Sequence, residues 1–446
     1  MQDFELKLTR NALVALSLAL PAFYAPSALA APKPTFYKDV QPVLERSCVG
    51  CHRPGEAAPM SFLSYKEVRP YAAAIKMSVS QKRMPPWNAD PHVGKFQNDR
   101  SLPEADLSTL VNWVSTGASE GDPKDAKPLK RDFATGWSIG TPDLIIEMPD
   151  FFTIPASGTI EYHYVVLPTN FKQDTWITAA ETRPANRAVN HHIIAFVREP
   201  GNKWMKDATP GVVFIPKGES GGGGIGSGEF LTGYAPGTVP DQLKPGQAKL
   251  IKAGSDIVFQ LHWTANGKEA TDKAKLGLIF AKVLPTERIL TLAAVNSRFE
   301  IPAGADNHQV DSKITLHEDT VLETLVPHMH VRGKAFSMRA VLPDGQVLDL
   351  LKVPHYDFNW QLTYKLAEPI QLPKGTRIEA SGWYDNSSNN KYNPDSTKLV
   401  KWGDQSWEEM MIGFFNVSIP MGTNIMDVMR PRKKASPTPS SAGGQD

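Results

Sequence analysis

The chain of 446 residues has only two cysteines, Cys48 and Cys51. A disulfide network is thereby excluded, and a fold of this size must be held by packing. Charge of one sign is lacking too. The 48 basic and 47 acidic residues leave a formal net charge of +1, which removes the electrostatic case for nucleic acid or an anionic membrane surface as partner. Beyond the N-terminus no stretch is apolar enough to cross a bilayer, so no integral span is expected once an N-terminal signal is removed. Histidine is scarce, with eleven in all.

What is present gains weight from its placement. Both cysteines fall in Cys48-Val49-Gly50-Cys51-His52, the C-x-x-C-H pattern that attaches a c-type haem. Two thiols at this spacing can add to the two vinyl groups, and the next residue places an imidazole under the iron. One covalent haem c is expected, with Cys48, Cys51 and His52 as its attachment and axial residues. Residues 1–30 suggest where it is made. Asn11 to Leu20 is apolar but too short to span, and Ala28-Leu29-Ala30 is a small-x-small cleavage signal, so a secretory signal peptide and a bacterial periplasmic or secreted location are expected. Asp3 and Glu5 offset Lys7 and Arg10, which keeps an uncleaved anchor as the alternative.

Residues 34–122 read as helical. Thr35 can cap a helix carrying Phe36, Val40, Val43 and Leu44, and Ser101-Leu102-Pro103-Glu104 forms a capping box before Leu107, Leu110, Val111 and Val114, ended by Gly117. Two helices bracketing the haem motif and a loop resemble class I cytochromes c. That resemblance implies a second axial ligand from the loop. Met84, stiffened by Pro85 and Pro86, is the chosen candidate, with Met60, Met77 and His92 as alternatives.

Residues 123–142 read as a linker. From about Asp143 the pattern changes to short β-rich runs, among them Glu161 to Leu167, His191 to Val197, Asp256 to Trp263, Leu276 to Ala281 and Phe358 to Tyr364. Length suggests two modules, 143–284 and 285–430, followed by a disordered tail over 431–446. The expected fold class is therefore multidomain: a small all-α cytochrome c domain followed by two all-β sandwich (jelly-roll-like) domains. A formal G-x-G-x-x-G at Gly221, Gly223 and Gly226 has no helix pattern after it and reads as a loop.

In the β region the histidines fall in compact groups: His191-His192, then His262, then His328-Met329-His330, followed by Met410. On a strand, His328 and His330 share a face and can hold one metal together. Adjacent His191 and His192 face opposite ways, and sharing a metal needs a twist, a bulge or different ring nitrogens. His163, His308, His317 and His355 read as polar or packed residues, with His163 or His355 able to line a cleft.

The order His-His, Gln-x-His, His-x-His, Glu-Met over residues 143–428 resembles the copper type II, ascorbate-dependent monooxygenases, the family of peptidylglycine α-hydroxylating monooxygenase and dopamine β-monooxygenase. The resemblance implies two coppers. His191, His192 and His262 would hold the electron-transferring one, and His328, His330 and Met410 the one that meets dioxygen; the latter three are the candidate catalytic residues. Gln260 also matches and would orient or couple the sites. The arginine that grips a peptide carboxylate in the amidating members is Val326 here, and an asparagine beyond the methionine is Ile412, so peptide amidation is not expected. The implied enzyme is an exported, haem- and copper-dependent monooxygenase that hydroxylates a C–H bond of a small organic substrate with dioxygen. Electrons would come from an external donor (a redox protein, a quinol-linked chain or an ascorbate-like reductant) through the haem. The alternatives are a non-catalytic periplasmic electron-transfer or copper-binding protein, and an oxidase that makes peroxide.

Overall fold

Strand Asp256–Trp263 is buried along almost its whole length, because its run of Ile257, Val258, Phe259 and Leu261 is apolar on both faces. It forms the middle of an antiparallel four-stranded sheet, paired on one side with His163–Pro168 and on the other with Asn190–Arg198, beyond which lies Glu229–Tyr234. One face of that sheet packs Val165, Ile193, Phe259 and Leu261 against Ile146, Ile177, Leu276 and Leu278 of a second sheet. A similar pairing recurs further along the chain. Strands His308–Thr315, Arg377–Tyr384, Gly333–Val341 and Val347–Val353 form another four-stranded sheet, whose Phe336, Met338 and Ile378 pack against Leu292, Leu325 and Phe415. The structure, a computed structural model, describes residues 33–56, 58–127, 136–216, 228–238 and 240–430. The expected signal peptide, most of the glycine run and the expected tail lie outside them.

The expected fold class is corrected on two counts. The β modules are not separate sandwiches, since both draw on one nine-stranded sheet. The seam is a parallel pairing of Gln247–Ile251 with Glu287–Val295, which sets Glu287 beside Gln247 and Arg288 beside Ala248. The joint expected at Leu284-Pro285 is thus a loop next to a continuous sheet. Buried ion pairing reinforces the seam, with Arg288 on Glu229 at 3.0 Å.

Nor do the described residues hold a sizeable all-α domain. Among them the longest α-helix is Glu104–Ser115, twelve residues, and the other α-helices are Gln41–Ser47, Tyr65–Val68, Ala72–Ser80 and Ile425–Met429. The first four of these five surround a small apolar cluster of Phe36, Val40, Leu44, Leu110 and Trp113. The loop between them is built into the β region. Phe96 bridges to Leu366, Gln97 N donates to the Lys365 carbonyl at 2.9 Å, and Trp87 and Phe96 pack on Tyr364 with ring centroids 4.9 and 5.3 Å away. Burying these aromatics against the sheet is worth more than leaving them on a helical satellite. Residues from Pro34 onward accordingly form one compact unit.

Smaller expectations divide. Gly117 follows the end of its helix at φ +105°, a conformation that favours glycine there. The capping box does not form. The helix starts at Glu104 behind Pro103, with no side-chain cap, and Ser101 N instead donates to Asp99 Oδ1 at 2.8 Å. Thr35 precedes a turn of π-helix, Phe36–Val40, also without a side-chain cap. Phe358 to Asn359 is a turn rather than a strand, and pairing begins only at Tyr364. No helix among the described residues is long and apolar enough to cross a membrane.

Candidate metal centre

The adjacent pair His191-His192 is reconciled with one metal by a bulge. In the pairing of Asn190–Arg198 with Asp256–Trp263 the register shifts between Asn190 and His192, so that Asn190 faces Trp263 and His192 faces His262. The extra residue, His191, no longer points to the opposite face. One ring nitrogen from each of His191, His192 and His262 lies within 4.8 Å of the others.

Hydrogen bonds decide which nitrogens are available. Both nitrogens of His191, and Nδ1 of His262, are buried without partners. His192 Nε2 meets Gln260 Oε1 at 3.1 Å, and Gln260 Nε2 donates to the Tyr164 hydroxyl at 2.5 Å. With the amide so oriented, His192 carries its proton on Nε2 and presents the Nδ1 lone pair. Unpartnered buried nitrogens are costly unless a ligand takes them. Burial pushes His191 down to about 4 and holds His192 and His262 well below the usual imidazole range, so all three are neutral donors at pH 7.

The second set forms at the end of strand Thr320–His328. Met329 turns into the core, and Gly382 leaves room for it: a Cβ there would sit 2.9 Å from the Met329 sulfur and 3.0 Å from that of Met411. His328 and His330 therefore emerge on the other side, their rings perpendicular and 5.2 Å apart. His328 Nδ1 meets Gln361 Oε1 at 2.5 Å and His330 Nδ1 meets the Glu408 carbonyl at 3.2 Å, which directs Nε2 of each toward a shared ligand; His330 Nε2 is buried without a partner. Burial pushes His328 to about 4 and His330 to about 3. Met410 is buried but stays outside the apolar core that takes Met411. Strand Ile412–Pro420, which begins two residues after Met410, pairs Ile412 with His328. Glu409 locks the corner, its two oxygens accepting from the backbone N–H of His330 at 2.8 Å and of Arg332 at 2.7 Å.

Two aromatic residues join the sets. The Phe358 ring stacks on His191 with centroids 5.0 Å apart and meets His330 edge-on at 5.9 Å. Tyr162 lies 5.0 Å from His192 and 4.5 Å from His262, and its hydroxyl shares a hydrogen bond with Ser406, in the loop that supplies the Glu408 carbonyl. Nothing in the sequence marked Phe358, Gln361 or Tyr162. Their roles arise from a turn and a loop brought in from distant positions.

The C-x-x-C-H motif, Cys48 to His52, follows helix Gln41–Ser47. Cys48 and Cys51 are free thiols, burial pushing Cys48 up to about 12 and raising Cys51 as well. The His52 ring is stacked on Phe62 with centroids 4.2 Å apart, and its Nδ1 is buried without a partner. Glu56, just after the motif, forms ion pairs with Arg53 and Arg187. Arg187 lies on the turn that leads into His191-His192, so the motif is docked on the first histidine set. Met84 lines a cleft of about 1460 Å³ together with His191, His262, Tyr356, Phe358 and Trp360; His52 does not border it. Of the alternatives to Met84, Met77 and His92 are exposed and Met60 packs on the helical core. His355 lines the cleft, as expected for one of two candidates, whereas His163 packs on Phe152 and Trp263.

No protein-family model and no curated protein matches the chain. Among solved structures, the chain is similar to infectious bursal disease virus Gx strain (10% identity, 64% of this chain and 74% of that one, TM-score 0.18). It is also similar to Broad Bean Stain Virus (8%, 66% and 95%, 0.24) and allantoicase (10%, 53% and 79%, 0.16). Likenesses this slight carry no argument about fold or function.

Proposed function

We propose that the chain is a haem- and copper-dependent monooxygenase that hydroxylates a C–H bond of a small organic substrate. The reading is supported above all by one observation: two sets of neutral histidines with buried, unpartnered nitrogens flank a single ring, Phe358, beside an open cleft. Imidazole sets of this kind suit copper, and a thioether at Met410 favours its reduced state. Copper bound there would supply dioxygen activation and one-electron transfer. The balance is R–H + O2 + 2 electrons + 2 protons giving R–OH + H2O. Cys48 and Cys51 would hold a haem by thioethers, with His52 and Met84 as its candidate ligands, and that group would supply one-electron transfer from an external donor.

The chain's own residues carry the rest. Gln260, Gln361 and the Glu408 carbonyl fix imidazole tautomers. Phe358 keeps bulk water from the space between the two sets. The Glu56–Arg187 pair holds the C-x-x-C-H motif against the turn that leads into His191 and His192, which would set a haem and a metal held there within one unit. The C-x-x-C-H motif and the signal-like N-terminal sequence support a periplasmic or secreted setting.

The test is single-turnover chemistry. Copper-reconstituted protein is reduced without oxygen, mixed with 18O2 and a panel of small organic molecules, and analysed for label in a hydroxylated product. Parent protein should yield one labelled oxygen per two electrons; Met410→Ala should lose product while keeping the copper at the first set, and His262→Ala should stop electron delivery. Copper without labelled product favours an electron carrier. Peroxide in place of product favours an oxidase.

A further inference from the structure

Asp272 is fully buried and lies outside every motif discussed so far. Its carboxylate takes three hydrogen bonds from neutral donors, each 2.8 Å long: the backbone N–H of Asn186, Nδ2 of Asn190 and the indole Nε1 of Trp263. The sequence neighbours of these donors are telling. Asn190 precedes His191 and His192, and Trp263 follows His262. Asn190 and Trp263 are also paired across the two strands, immediately before the register shift that brings His191 around. A bulge is a weakly held place in a ladder, since its extra residue has no cross-strand partner. Here one carboxylate clamps the side chains of both residues at its entrance, and the Trp263 ring is further fixed by stacking on Phe152 with centroids 4.6 Å apart.

We infer that Asp272 is the positioning residue of the three-histidine metal site, holding the bulge in the one shape that lets His191, His192 and His262 converge. The inference rests on the reading that these histidines hold a metal. A buried carboxylate accepting three donors is costly to assemble and rigid once made. Its placement transmits that rigidity to the ligands on both strands at once. Outer groups of this kind typically tune metal affinity by about 10- to 100-fold.

The test titrates Cu(II) into the full chain under chelator competition and follows the Cu(II) EPR spectrum. The spectral component removed by His262→Ala marks the site in question. Asp272→Asn reverses one acceptor into a donor facing N–H groups, and it should weaken that component roughly 10- to 100-fold and alter its hyperfine splitting, with the other component left as in the parent. Trp263→Phe keeps the ring but removes one donor, and should move both readouts in the same direction by less. A core variant, Phe259→Leu, controls for general loosening. If it weakens copper as much as Asp272→Asn at an equal loss in Tm, Asp272 is merely structural and the inference fails. It also fails if Asp272→Asn folds and binds copper as the parent does, or, should that variant not fold, if Trp263→Phe leaves the component unchanged. A parent that binds no copper defeats the metal reading itself, and this inference with it.

Discussion

Lowering the pH of the metal-free protein from 7 to 5 should cost it several kcal/mol of stability, because buried histidines that resist protonation outweigh buried carboxyls that favour it. His191, His328 and His330 have folded values of about 4, 4 and 3 against an ordinary 6.5. A group whose folded value is depressed in this way takes its proton first in the unfolded chain. Stability is therefore intact above about pH 6.5 and drains away as the pH falls toward the folded values. Between pH 7 and 5 each imidazole contributes a loss of about 1.8 kcal/mol, and the three together about 5.5. His192 and His262, also depressed by burial, act in the same direction.

Glu409 acts the other way. Burial raises it to about 8 despite its backbone donors, so the folded chain binds its proton more readily and gains about 2.5 kcal/mol over the same interval. The histidines win. Urea unfolding of metal-free protein at the two pH values should show a lower midpoint at pH 5 with an unchanged slope, and His330→Gln should shrink the loss by nearly 2 kcal/mol. Metal on these histidines should raise stability at both pH values without shrinking the loss, because the folded chain then binds even fewer protons than the unfolded one. A midpoint independent of pH, or one that His330→Gln leaves equally pH-sensitive, would refute the picture of five buried neutral imidazoles.

Other expectations follow from single contacts. Trp87→Ala removes the ring that packs on Tyr364 and Phe96 and should cost about 2–3 kcal/mol, seen as a lower Tm with faster proteolysis between residues 84 and 100. Haem staining that survives denaturing electrophoresis should weaken in Cys48→Ser, where one of two thioethers is lost, and vanish when Cys51→Ser is added; a stain that survives both changes would remove the two thiols from the attachment.

Much of the candidate site is legible in the sequence because ligand chemistry is written in residue identity. Type and spacing mark His191, His192, His262, His328 and His330 as compact groups, and their order, by resemblance to a copper family, divides them into two sets. Even the difficulty with adjacent histidines is legible there, as a need for a twist, a bulge or different ring nitrogens, and only strand pairing selects the bulge. Residues that act by orientation leave no such mark. Gln361, Phe358, Tyr162 and Asp272 are ordinary amino acids at ordinary positions, and each matters only because a distant segment places it against a histidine.

The division has a physical basis. Local sequence determined what depends on neighbours along the chain: the thiol spacing at Cys48 and Cys51, the apolar run that makes Asp256–Trp263 a central strand, the glycine at 117 that ends a helix. Tertiary structure alone decided whether modules stay apart. The parallel pairing of Gln247–Ile251 with Glu287–Val295 joins strands from either side of an apparent boundary, and the burial of Trp87 and Phe96 draws a helical loop onto a sheet edge. Such choices are made by competition between surfaces remote in sequence. A boundary read from composition registers only one of the competitors.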